Sequence, residues 1–190
     1  MTKQKIFDAA VKLFSEYSYV GTSMREIAEE VGITVASLYN HYESKLDILY
    51  ALYDFYSSHW NEKCPSEDYL LSLVDKLQPH EVFAQSDFRF DAEMQDTMNR
   101  IVRIALQQIG ADLRSEQFVK EHISGRKILS PVLKKMIKTG KIEPLDIEAF
   151  CNLITGFSVS AALLNGTTLQ FNPKEWEASF SLAFSLVKTK

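Results

Sequence analysis

At 190 residues, 46% of them apolar, the chain can bury a sizeable core and build one or two compact domains. Its 21 basic and 25 acidic side chains give a net charge of −4, so the overall balance does not mark a polyanion binder and any contact with nucleic acid has to be local. The two cysteines, Cys64 and Cys151, stand in no Cys/His ligand spacing; this excludes a disulfide framework, fits a reducing, cytoplasmic setting, and leaves no metal or cofactor expected. No run approaches the roughly 18 apolar residues of a membrane span.

Helical spacing recurs almost everywhere and no alternating strand pattern appears, so the fold class is all-α. The first helix begins after Thr2 and sets Ile6, Ala9, Ala10, Leu13, Phe14 and Tyr17 on one stripe, ending before Gly21. Ser23-Met24-Arg25-Glu26 has the S-x-x-E form of a capping box and starts a second helix, which Gly32 ends. Thr34 can cap a short third helix over 35–41, and Ser44 a fourth running to about residue 62. Further helices are predicted at 66–77, 90–109, 112–138 with a kink at Pro131, 145–165 and 174–188, the last introduced by Asn172-Pro173.

Residues 23–41 place a short helix, a glycine turn and a second short helix in succession, the layout that lets one helix enter the DNA major groove while its partner crosses the backbone. Ile33 and Leu38 turn back to the core. Thr34, Val35, Ser37, Tyr39, Asn40 and His41 are left facing outward, where hydroxyls and an amide can bond base edges and Val35 can meet a thymine methyl.

The run Gly21-Thr22-Ser23, Ile27-Ala28, Val31-Gly32-Ile33-Thr34, Ser37-Leu38-Tyr39-Asn40-His41-Tyr42 and Ser44-Lys45 resembles the DNA-binding signature of the tetracycline-repressor (TetR) family of bacterial regulators. The resemblance spans about residues 5–49. It implies that Thr22, Tyr39, His41 and Lys45 contact phosphates, that Thr34, Val35 and Ser37 face base edges, that Asn40 does either, and that Ser23 belongs to the same surface. Tyr42 stands where the family usually has phenylalanine and is expected in the core. Two departures concern the groove: Val35 holds a place often taken by lysine or arginine, and Ala36 one often taken by glycine. Residues 1–47 carry five basic side chains against seven acidic, a net of −2, so amides, hydroxyls and helix N-termini must carry much of the DNA contact.

These observations divide the chain into a DNA-binding domain over 1–47 and a helical ligand-binding and dimerisation domain over 48–190. Tyr53, Tyr56, Trp60, Met94 and Met98 lie at helical spacing and are candidates for a pocket as well as for ordinary core. Phe150, Ile154, Phe157, Trp176, Phe180 and Phe184 form apolar stripes that suit either the chain's own core or an interface, and the resemblance favours a two-fold helix bundle between subunits. No catalytic constellation is apparent along the sequence. The function that follows is a homodimeric repressor that binds a palindromic double-stranded operator and is released by a partly apolar small-molecule effector. The alternative is a helical small-molecule-binding protein or enzyme that does not act through DNA.

Overall fold

A computed structural model describes residues 2–84, 91–122 and 126–164. Ten helices fall in these stretches: α1 (Thr2–Gly21), α2 (Met24–Val31), α3 (Val35–Tyr39), α4 (Lys45–Lys63), α5 (Glu67–Val74), α6 (Pro79–Ala84), α7 (Ala92–Gln107), α8 (Leu113–His122), α9 (Arg126–Lys138) and α10 (Ile147–Leu164). The described residues contain no strand, as the all-α expectation requires, and none of their helices is long and apolar enough to cross a membrane. The chain forms two compact units, Met1–Trp60 with Asp91–Val119, and Asn61–Phe90 with Lys120–Lys190. The expected domain boundary after residue 47 falls in the first turn of α4.

In the first unit α1 packs against both α2 and α7. Ile6, Ala9, Ala10, Leu13 and Phe14 are buried as the stripe predicts, but so are Phe7 and Val11, one turn apart on a second face. The Phe7 ring meets Phe55 of α4 at 4.6 Å between centroids, and Ser15, the next turn of that face, accepts a hydrogen bond from Arg100 of α7 at 3.2 Å. A helix apolar on two faces needs cover on both, which is why α7 joins this unit. Tyr17 departs from its predicted place. It is 63% exposed and lines an open groove of about 460 Å³ between α1 and α2, with Glu26, Glu29 and Glu30 on the other wall.

In the second unit α9 packs against α5 and α10. Leu70 and Val74 of α5, Leu129, Val132, Leu133 and Met136 of α9, and Phe150, Cys151 and Ile154 of α10 form one buried cluster. Two elements differ from expectation. The stretch 112–138 holds two helices, and Pro131 lies inside the second; α6, opened by Pro79 at its first position, lies where no helix was expected. The helix predicted at 174–188 lies outside the described residues.

Candidate nucleic-acid interface

The site is built from three successive caps. Ser23 Oγ accepts the backbone N–H of Glu26 at 3.2 Å, while the Glu26 carboxylate accepts the Ser23 backbone N–H at 2.7 Å and its hydroxyl at 2.8 Å. These bonds hold the Glu26 carboxyl below the usual carboxylate range. At the other end of α2, Gly32 adopts the left-handed conformation (φ 76°), and its N–H bonds back to the last turn. The chain then enters α3 through Thr34, whose Oγ1 accepts the Ser37 N–H at 3.1 Å. The two helices are set by side chains that satisfy their own first-turn amides.

Within α3 only Leu38 is buried. Thr34, Ala36, Tyr39, Asn40 and His41 are exposed, and Val35 and Ser37 half-buried. The Thr34 and Ser37 hydroxyls lie 2.8 Å apart. Whichever donates, the other keeps its O–H, so the pair offers one outward donor together with free lone pairs. Asn40 closes the helix, and the His41 N–H bonds the Leu38 carbonyl at 2.9 Å, leaving both side chains at the exposed end. Tyr42 is buried, as expected, and Lys3 Nζ stands 5.2 Å from its ring centroid. That places a cation beside the end of α3 which no local sequence signal announces, since the two residues are distant in the chain.

Three residues expected on this surface are turned to other work. Thr22 is 3% exposed, and its hydroxyl is held by the Ser18 carbonyl at 2.9 Å and the Leu13 carbonyl at 3.3 Å. The Ser23 hydroxyl is taken up in the capping box. Lys45 Nζ donates to the Tyr19 carbonyl at 2.8 Å and the Thr22 carbonyl at 2.7 Å, and lies 4.4 Å from the Tyr19 ring centroid. Burial pulls the Lys45 ammonium below the usual lysine range, against the pull of the Glu26 carboxylate. Glu29 and Glu30 in the α1–α2 groove are ion-paired with Arg25 and Lys12, and the α3 face carries the exposed hydroxyl, amide, phenol and imidazole groups that suit DNA.

Of the pocket candidates, Tyr53, Tyr56 and Met98 are in the first unit's own core. Tyr53 stacks on Phe118 with centroids 4.5 Å apart, Tyr56 meets the same ring edge-on at 5.0 Å, and Trp60 stacks on Tyr56 at 5.8 Å. At these separations the rings fill the space between them. The Tyr53 hydroxyl shares a 2.7 Å hydrogen bond with Ser115, and burial pushes its pKa up to about 12. Met98 is buried with them, whereas Trp60 and Met94 are half-buried. His59 bonds the Phe55 carbonyl through Nδ1 at 2.8 Å, and burial pushes the Cys64 thiol up to about 11.

Of the interface candidates, Phe150 and Ile154 are used inside the second unit, where α9 packs on α10 and both residues join the buried cluster. The opposite face of α10 leaves Ala149, Leu153 and Gly156 exposed. The side chain of Phe157 and all of Trp176, Phe180 and Phe184 lie outside the described residues.

A capped helix, a left-handed glycine turn and a five-residue helix with polar side chains around one buried leucine define a helix-turn-helix DNA-reading domain. Residues 6–52 match the family described as bacterial regulatory proteins of the tetR family, and this segment is a tetR-family DNA-binding domain. Over 46 residues, 24% of the chain, the sequence is 52% identical to IcaR of Staphylococcus aureus, the negative transcriptional regulator of the biofilm operon icaADBC, and 50% identical to that of Staphylococcus epidermidis. The match spans about a quarter of the length of these relatives, 25% of each. A putative fatty acid metabolism regulator of Clostridium perfringens shares the fold with a TM-score of 0.65 at 19% identity, covering 96% of both chains. AibR, solved with isovaleryl coenzyme A and operator DNA, gives 0.67 at 18% identity over 100% of both chains.

Proposed function

We propose that the protein is a ligand-responsive transcriptional regulator, a homodimer that represses from an operator and is released by a small molecule. The observation that carries this reading is the α3 surface, where one buried leucine anchors a helix whose hydroxyl, amide, phenol and imidazole groups all lie outside the core. In this reading Thr34, Val35 and Ser37 face base edges, Asn40 either bases or backbone, and Tyr39 and His41 phosphates. A single α3 covers few base pairs, so two copies on a palindrome one helical turn apart supply affinity and register together. The pairing surface lies in the C-terminal part of the chain, for which the exposed face of α10 and the Trp176, Phe180 and Phe184 stripe are the candidates.

The effector is a partly apolar small molecule. Support comes from a shared fold with a fatty acid metabolism regulator and with AibR, whose complex holds an acyl thioester of coenzyme A. Trp60 and Met94 are the remaining pocket candidates, since the side chains of Tyr53, Tyr56 and Met98 are closed in by their neighbours. The division into a reading domain over 1–47 and a sensing and pairing domain over 48–190 is functional, and α4 runs from the first into the second.

Selection of duplexes from a genomic fragment library, followed by mobility shift against a scrambled duplex at several salt concentrations, tests the proposal. Recovery of a palindromic sequence bound by two copies is expected. Equal affinity for all duplexes, or none at any salt, overturns it.

A further inference from the structure

The corner between α1 and α2 is strained. Ser18 has φ 68° and ψ 162°, a backbone region that side chains other than glycine rarely enter and that persists only where the surroundings over-determine it. Three sets of bonds hold it here. The Gly21 N–H bonds the Ser18 hydroxyl at 3.1 Å, the Thr22 hydroxyl bonds the Ser18 carbonyl at 2.9 Å, and Lys45 Nζ bonds the carbonyls of Tyr19 and Thr22. Of these, only the last set reaches the corner from another helix, across 23 and 26 positions of sequence.

An ammonium in the first turn of α4 sits at the positive end of that helix, where a cation is disfavoured unless something opposes the dipole. The carbonyls at the end of α1 do so, and the Tyr19 ring face covers a further side of the ammonium. With two of its three N–H groups spent on carbonyls and the Tyr19 ring alongside, Nζ has little left for a phosphate. The Thr22 carbonyl that it holds immediately precedes Ser23, the cap of α2.

We propose that Lys45 is a positioning residue: its ammonium clamps the first turn of α4 to the strained α1–α2 corner, and so fixes the entry to α2 and α3 instead of neutralising a phosphate. The inference about DNA rests on the function proposed above, whereas the clamp itself does not.

Lys45→Met removes the ammonium, and Lys45→Gln leaves a shorter neutral donor as a milder variant. Hydrogen exchange of the full chain without DNA is expected to show the Gly21 and Thr22 amides opening at least about tenfold faster, the scale of a lost charge-assisted hydrogen bond. Operator affinity then falls while scrambled-duplex affinity and the salt slope stay unchanged. The proposal is overturned if exchange is unaltered, or if operator and scrambled affinities fall together and the slope drops by about 0.9, the value for one lost phosphate contact. Should no duplex bind specifically, the function fails, and exchange alone still decides the clamp. Should both variants fail to fold, reductive methylation of the wild-type chain decides it: Lys45 labels long after the exposed Lys3 and Lys5 if clamped, and alongside them if free.

Discussion

The α1–α3 region and the core of the second unit are held by opposite means. In the first, Ser23 and Glu26, Thr34 and Ser37, and Gly32 and Glu29 bond across three positions of sequence, so both ends of α2 and the start of α3 are capped by their own neighbours. In the second, Leu70, Leu133 and Phe150 come from three different helices, far outside one another's local sequence, and meet in one apolar cluster. A local bond defines both its partners. An apolar stripe only requires that something cover it, and leaves the partner to the rest of the fold.

The largest expected effect tests that contrast in the second unit. Leu133 is fully buried at the centre of α9, and Leu133→Ala leaves a cavity bordered by α5 and α10, at a cost of about 2–5 kcal/mol. Ser23→Ala removes one cap and should cost about 1 kcal/mol. Denaturant unfolding of the two variants gives the order directly. If the serine change costs more than the leucine change, packing does not dominate where the contrast says it should.

A smaller effect sharpens the comparison inside the first unit, where one buried polar pair does span the sequence. The Tyr53 hydroxyl on α4 meets Ser115 on α8, and burial in the aromatic cluster holds its proton to about pH 12 against 10 for a free phenol. The folded state therefore keeps this proton where the unfolded chain has lost it. The stability it contributes is intact below pH 10 and drains away as pH rises through about 12. That difference corresponds to a loss of roughly 3 kcal/mol. Alkaline unfolding followed by circular dichroism should show this loss in the wild type and a much weaker pH dependence in Tyr53→Phe. Identical pH profiles would mean that another group carries it.

What was legible in the sequence follows the same division. The caps at Ser23 and Thr34 and the turn at Gly32 were readable because every partner lies within a few residues, and with them came the family resemblance and the α3 surface. For Lys45 the resemblance implies a phosphate contact, and the carbonyls that engage it, 23 and 26 positions away, leave no signal in the sequence. Phe150 and Ile154 are legible as an apolar stripe that suits either the chain's own core or an interface, and periodicity does not say which, because it does not say which helix covers a stripe. Tyr17 was placed on the core stripe of α1 by its spacing alone. The backbone turns at the next residue, and the ring is left in the groove.

That turn carries the smallest effect, and one of opposite sign. Ser18 sits in a conformation that costs side-chain-bearing residues of order 1–3 kcal/mol, and glycine adopts it freely. Ser18→Gly gives up the Gly21 N–H bond to the hydroxyl, but that bond is exposed and water can replace it. Against the strain relieved stands the larger unfolded-state freedom of glycine, roughly 0.5–1 kcal/mol. The balance is a gain of about 1 kcal/mol, read as a higher denaturant midpoint with an unchanged slope. Ser18→Ala is the matching control. It loses the same hydroxyl, keeps the Cβ that causes the strain, and should therefore destabilise. If glycine and alanine move the midpoint in the same direction, the hydroxyl bond and not the backbone conformation governs this corner, and the clamp at Lys45 holds a turn that was never strained.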